Sequence, residues 1–124
     1  MLGRTSEMSR ELTIDERYSW VRGTLKHLAA IPNLSDADVG YVVFEASDSD
    51  VRSGFHDTNL DPLVTARRIS PPIKQELLEI RSAFLPLLEA AYVASSPNES
   101  IRHDQRWAEI SRRCSRLLYS FTSA

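Results

Sequence analysis

The sequence predicts an all-α protein, a single-domain bundle of four to five helices. Apolar residues recur at spacings of three and four in several segments, which is the period of one helix face. Residues typical of helix starts precede these segments, and short polar or proline-containing turns separate them. The length of 124 residues suits one core, and 42% hydrophobic with 26% charged residues is ordinary for a globular domain.

The first helix is predicted to begin at Thr13. Thr13 and Glu16 have the spacing of a capping box, in which each side chain bonds the backbone amide of the other residue. The helix should end before Pro32, and one apolar stripe follows it: Ile14, Tyr18, Val21, Leu25 and Leu28. We therefore expect the helical domain to span residues 13–124, with residues 1–12 as a flexible N-terminal segment.

A second helix is predicted from Asp36 into the mid-forties, because Ser35 is a favourable N-cap. The run from Tyr41 to Phe44 is β-branched and aromatic, so a buried strand is an alternative. We favour helix because no other segment resembles a partner strand, and an unpaired strand would leave its backbone groups without hydrogen bonds.

The segment from Ser47 to Leu60 is rich in Asp, Ser, Gly and Asn, which predicts an irregular connection. Asp61 and Pro62 then resemble an N-cap and a first helical residue, opening a short helix through Ile69.

Ser70 and Pro71 repeat this cap and begin a long amphipathic helix. Pro86 lies inside the apolar pattern of this helix and is expected to kink or split it. A further capping box is predicted from Ser96, Pro97 and Glu99, opening a last helix with the apolar stripe Trp107, Ile110, Cys114, Leu117 and Phe121.

Composition indicates a cytoplasmic protein. Cys114 is the single cysteine, so no disulfide can form within the chain, as is typical of a reducing compartment. No apolar run approaches the roughly 20 residues that cross a bilayer, and Met1 to Arg10 lack the apolar centre of a secretion signal. We expect no membrane association.

Charge is unevenly distributed along the chain. The net charge of −2 argues against general nucleic-acid binding through phosphate neutralisation. Residues 35–61, however, hold seven carboxylates against Arg52 alone, and both flanking segments are mildly positive. The middle of the chain is therefore an acidic block.

The acidic block and its aromatic residues form the predicted interaction site. Negative charge attracts a basic partner, and aromatic side chains supply apolar contact area. The candidate partner-binding residues are Asp36, Asp38, Tyr41, Phe44, Glu45, Asp48, Asp50, Phe55, Asp57 and Asp61. The favoured function is a non-enzymatic module that binds a basic toxin or nuclease, as a small bacterial immunity protein, an antitoxin or a phage inhibitor would.

No cofactor and no metal are predicted. The three histidines show none of the spacings of metal motifs, and Cys114 has no second cysteine. The segment that begins at Asp48 departs from a calcium loop at its fifth position, Arg52, at its sixth, Ser53, and at its twelfth, Asn59.

Two alternative functions depend on basic residues. Arg22 and His27 have the spacing R-x4-H, which resembles the R-x4-6-H signature of the HEPN family of helical ribonucleases. That resemblance implies a metal-independent ribonuclease acting at a dimer interface, with Arg22 stabilising phosphate charge and His27 transferring a proton. The second alternative is a nucleic-acid-binding regulator, which would use a line of arginines on the last helix: Arg102, Arg106, Arg113 and Arg116.

Overall fold

The computed structural model describes residues 11–94 and 97–121, and every regular element in these residues is helical. The α-helices are α1 (Ile14–Ala29), α2 (Asp36–Gly40), α3 (Asp48–Gly54), α4 (Asp57–Thr65), α5 (Pro71–Tyr92), α6 (Pro97–His103) and α7 (Gln105–Leu118). A 3-10 turn, Ile31–Asn33, follows α1, and a π-helical segment, Tyr41–Ala46, continues α2.

The predicted all-α fold is confirmed. The four longer helices, α1, α4, α5 and α7, form the frame of the bundle, and the shorter segments connect them. The strand alternative for Tyr41 to Phe44 is wrong, because these residues are π-helical. Residues 1–10 of the predicted flexible segment lie outside the described residues.

Three predicted helix starts are confirmed by their caps. Thr13 Oγ1 accepts a hydrogen bond from the Glu16 amide at 3.1 Å, and Glu16 Oε1 accepts one from the Thr13 amide at 2.8 Å. The Ser35 hydroxyl oxygen caps α2 by accepting a hydrogen bond from the Asp38 amide, and the Ser70 hydroxyl oxygen caps α5 by accepting one from the Ile73 amide. The predicted capping box of Ser96 and Glu99 falls outside the described residues and side chains.

The core is organised around α1, which packs along α7. The Ser111 hydroxyl donates to the Leu28 carbonyl at 2.9 Å near one end of the pair. Near the other end, the rings of Tyr18 and Phe121 lie 5.1 Å apart. Because the end of α1 meets the first half of α7, the two helices are antiparallel.

The predicted irregular segment, Ser47 to Leu60, is instead largely helical. It contains α3 and the first turn of α4, and the side chains of Val51, Phe55 and Leu60 are fully buried. Asp48 and Asp50 lie in the first turn of α3, where carboxylates stabilise the positive end of the helix dipole. Burial of a few apolar residues therefore outweighs a composition that is typical of loops.

The predicted role of Pro62 is also corrected. Helix α4 begins at Asp57, with His56 as its N-cap, and ends at Thr65 instead of Ile69, so that Pro62 lies in its interior. Proline has no amide hydrogen, so the carbonyl of Thr58 four residues earlier loses its helical partner. Arg17 Nη1, on α1, donates to this carbonyl at 3.3 Å.

Asn59 connects three helices. Its side chain is 2% exposed, its Nδ2 donates to the Gly54 carbonyl at 2.8 Å, and its Oδ1 accepts from Arg17 Nη1 at 3.0 Å. The buried side-chain amide of Asn59 thus joins the end of α3 and the start of α4 to the side of α1.

The predicted last helix is divided at Asp104. The backbone of Asp104 is extended, with φ −84° and ψ 120°, and its Oδ1 accepts from the Arg106 amide at 2.8 Å as the N-cap of α7. Hydrogen bonds from Arg106 lower the pKa of the Asp104 carboxyl group. Pro86, in contrast, does not split α5, which continues through it to Tyr92.

Helix α4 ends in a Schellman motif in which an arginine occupies the position that glycine usually takes. The Arg68 amide donates to the Leu63 carbonyl at 2.9 Å, and the Arg67 amide donates to the Val64 carbonyl at 3.0 Å. Arg67 has a φ of 61°, the left-handed conformation in which glycine is normally found.

Replacing Asn59 with alanine should lower the free energy of unfolding by about 2 kcal/mol, because the buried Gly54 carbonyl would lose its donor. Urea denaturation followed by circular dichroism measures this change. Asn33→Ala, at an exposed position of the 3-10 turn, is the control and should have little effect. Equal stability of the two variants would contradict the assigned role of Asn59.

Arg67→Gly should raise the free energy of unfolding by about 0.5–1 kcal/mol, because glycine adopts positive φ without steric cost but is more flexible when unfolded. Arg67→Ala retains the steric cost and serves as the comparison. Thermal and urea unfolding of both variants measure the difference, and a glycine variant no more stable than the alanine variant would contradict the explanation.

Candidate protein-binding surface

The ten predicted partner-binding residues do not form one surface. The prediction for Phe55 is wrong, because its side chain is fully buried in the core. Asp57 and Asp61 lie on α4, Asp48 and Asp50 on α3, and the remaining residues on α2 and the π-helical segment. The side chain of Asp36 is outside the described part of the structure.

Asp57 and Asp61 form an ion-pair cluster with Lys74 of α5. Lys74 Nζ lies 2.5 Å from Asp61 Oδ1 and 3.3 Å from Asp57 Oδ1. The hydrogen bond to Asp61 contributes most to raising the pKa of Lys74, and the hydrogen bond to Asp57 raises it further. These two carboxylates therefore link α4 to α5, and one ammonium group offsets half of their charge.

Asp50 has a positioning role within the fold. Its Oδ1 accepts a hydrogen bond from Trp20 Nε1 at 2.9 Å, which attaches α3 to α1. A Cβ atom at Gly54 would lie 3.2 Å from Trp20 Cε2, so the indole ring packs closely on the backbone of α3. Asp50 is thus committed to an internal contact.

The π-helical segment and the residues before it present an exposed stripe. Asp38, Tyr41 and Glu45 are spaced by three and four residues and are all exposed, whereas Val39 and Val43 are fully buried. Tyr41 is 63% exposed. Within the described residues, Asp38 and Glu45 have no side-chain hydrogen bond or ion pair, so their charges face solvent.

The C-terminal end of α5 extends this stripe. The rings of Phe44 and Tyr92 lie 4.7 Å apart. The Tyr92 hydroxyl lies 3.3 Å from Asp48 Oδ2 and 3.4 Å from the Phe44 carbonyl oxygen, so it can donate to either acceptor. Tyr92 and Val93 are 52% and 85% exposed. The sequence does not predict them as site residues, because its apolar pattern here gives no sign that they remain uncovered.

The carboxylates of this region act on the Tyr92 phenol. Partial burial of the phenol raises the pKa of Tyr92, and the negative charges of Asp48 and Glu45 raise it further. Asp48 also binds Arg52, with Oδ1 at 3.0 Å from Nη2, so part of its charge is offset. We call the resulting patch the acidic aromatic surface, which consists of Asp38, Tyr41, Glu45, Asp48, Tyr92 and Val93.

Arg22 and His27 are not brought together by α1. The helix is regular from Ile14 to Ala29, so two residues five positions apart point in directions that differ by roughly 140°. Arg22 is half-buried and His27 is exposed. The HEPN-like ribonuclease hypothesis stays a prediction, without a geometric feature of the described residues that favours it.

The predicted arginine line is interrupted at Asp104, where α6 ends and α7 begins, and most of its arginines are paired. Arg113, on α7, binds Glu76 and Glu79 of α5 at 3.1 and 2.8 Å. Arg106 pairs with Asp104 and Arg116 with Glu109, and Arg102 donates to the Leu34 carbonyl. These contacts weaken the local positive potential on which nucleic-acid binding would depend.

The described residues offer little chemistry of other kinds. No group of three or more His, Cys, Asp or Glu side chains in this part of the chain is arranged to hold a metal ion. Cys114 is buried, and burial raises the pKa of its thiol to about 12. Because the thiolate is the reactive form, this raised pKa makes Cys114 a poor nucleophile. Its side chain serves as part of the core.

Comparisons with known proteins do not identify a relative: no family model, curated protein or solved structure matches the chain. Among the described residues, no helix combines the length and the apolar character needed to cross a membrane. The acidic aromatic surface is therefore the feature of the chain that bears on its function.

Cys114 should be unreactive towards a thiol reagent such as DTNB in the native protein at pH 8, because its pKa of about 12 leaves almost no thiolate. In denaturant, one thiol per chain should react rapidly. Fast stoichiometric labelling of the native protein would contradict the buried position of Cys114.

Proposed function

We propose that this chain is a non-enzymatic protein-binding module that binds a basic protein through its acidic aromatic surface. The observation that carries the proposal is the exposure of Tyr41, Tyr92 and Val93, with Tyr92 in contact with Asp48 and Tyr41 on the exposed stripe of Asp38 and Glu45. Two of these carboxylates, Asp38 and Glu45, have no partner among the described residues. Large uncovered side chains next to uncompensated charge are typical of interaction sites.

The two kinds of side chain would contribute differently to the complex. Tyrosine has few rotatable bonds and a large apolar area, so Tyr41 and Tyr92 would hold the complex together once it is formed. Carboxylates at the edge mainly accelerate encounter and select partners of opposite charge. The Tyr92 hydroxyl is already positioned by Asp48, which reduces the entropy that its ring would lose on binding.

A basic partner is favoured over a second copy of this chain. A symmetric dimer built on this surface would bring Asp38 and Glu45 of both copies into one interface. The like charges would repel, and Arg52, a cation beside this surface, is already paired with Asp48.

Within this class, we propose a basic toxin or nuclease as the partner, and a cytoplasmic immunity protein, antitoxin or phage inhibitor as the function. A nuclease binds phosphates through a basic groove, and an acidic surface with aromatic anchors can occupy such a groove in place of nucleic acid. The charge and the residue composition of the acidic aromatic surface support a toxin or nuclease as the partner.

The test begins with affinity purification from the native host, followed by binding measurements with the purified partner. We expect a partner with a basic binding face, and an affinity that falls as salt concentration rises. Tyr41→Ala should weaken binding by about tenfold or more, as truncation of an interface aromatic usually does. Tyr119→Ala, at a 91% exposed tyrosine on the last turn after α7, is the matched control.

Charge is tested separately with Glu45→Gln. This variant should slow association and flatten the salt dependence, whereas Ser19→Lys, at an exposed position of α1, makes the same change in net charge away from the surface. The proposal fails if the partner is acidic, or if Tyr41→Ala and Tyr119→Ala bind it equally well.

A further inference from the structure

A second surface feature lies between the end of α4 and the start of α5, on residues that the proposed function does not use. It is an open groove of about 430 Å³. The apolar part of its lining comes from Val64, Ile69, Pro71 and Ile73. Two guanidinium groups and no carboxylate complete the charged part of the lining, so the groove combines apolar contact area with positive charge.

The two arginines of the groove differ in their availability. Arg68 forms an ion pair with Asp15, and its guanidinium group lies 4.1 Å from the centre of the Tyr18 ring. Arg67 is exposed, and its side chain makes no hydrogen bond or ion pair with residues 11–94 or 97–121. The unneutralised charge at the groove is therefore that of Arg67.

The backbone conformation of Arg67 adds to this observation. Its φ of 61° is unfavourable for every residue that has a Cβ, and glycine at this position would complete the Schellman motif without that cost. Strained backbone conformations of this kind cluster at ligand-binding sites, so the conformation of Arg67 is consistent with a role for its side chain.

The start of α5 cannot itself bind an anion through backbone amides. Pro71 and Pro72 have no amide hydrogen, and the amide of Ile73 already donates to Ser70 Oγ. An anion that enters the groove would therefore depend on the guanidinium group of Arg67.

We propose that this groove binds the C-terminus of a peptide or protein partner whose last residue is aliphatic. The terminal carboxylate would accept hydrogen bonds from Arg67, which complements its charge. The aliphatic side chain would lie on Val64, Ile69 and Ile73. A bare anion such as phosphate would leave this apolar lining uncovered, and a neutral apolar group would leave Arg67 unused.

The probe for this site is N-acetylleucine, which carries the carboxylate and the aliphatic side chain of such a terminus. Titration into the ¹⁵N-labelled full chain should shift the backbone amide signals of residues 64–70 and of Ile73. N-acetylleucinamide has the same side chain without the charge, and acetate has the charge without the side chain. Both should bind at least about fivefold more weakly than N-acetylleucine.

Arg67→Gly provides a variant that separates binding from stability. It should lose most of the N-acetylleucine response while its unfolding temperature rises, so unfolding cannot explain the loss. Arg67→Lys should retain part of the affinity, and Arg112→Gln, at an exposed arginine of α7, should bind normally. The inference is overturned if N-acetylleucine causes no shifts, if the amide binds equally well, or if Arg67→Gly binds as the wild type does.

Discussion

The antiparallel packing of α1 on α7 is the constraint on which the other elements depend. The apolar stripe of α1 is buried by α7 on one side and by α3 and α4 on the other. The hydrogen bond from Ser111 to the Leu28 carbonyl and the ring contact of Tyr18 with Phe121 hold the two ends of this pair. Helix α5 closes the core where Phe84 meets Trp107 edge to face, with ring centroids 5.4 Å apart.

This arrangement determines which acidic residues remain available. Helices α3 and α4 face α1 and α5, so their carboxylates meet donors of the fold: Trp20 for Asp50, and Lys74 for Asp57 and Asp61. The π-helical segment lies at the edge of the core and buries mainly Val43 and, before it, Val39. Its opposite face, together with the end of α5, is left to solvent, and this is where charge and aromatic side chains coincide.

Much of the fold could be predicted from the sequence, because caps and apolar periodicity are local signals. The stripe of α1 and the caps at Thr13, Ser35 and Ser70 are of this kind. The helices between Ser47 and Leu60 could not be predicted, because they depend on distant contacts. One example is the hydrogen bond of Asn59 to Gly54, which also involves Arg17 some forty residues away.

The site was harder to predict for the same reason. Charge and composition selected Asp38, Tyr41 and Glu45 as candidates, but they could not show that Phe55 is internal or that Lys74 faces two carboxylates. Nor could they show that Tyr92 and Val93, forty-eight or more residues beyond Phe44, complete the surface. Pairing between elements follows from tertiary packing, and a pattern within one segment contains no information about it.

The π-helical segment has a consequence for how the chain tolerates changes in length. Its backbone bonds span five residues instead of four, as in the bond from the Ser47 amide to the Val42 carbonyl, so the segment holds one residue more than an ordinary turn. Loss of one residue between Tyr41 and Ala46 would let the turn close with the usual spacing and leave both neighbouring helices in register. Evolution could therefore shorten the chain here more easily than within α1 or α7, where the same deletion would rotate the buried stripe out of the core.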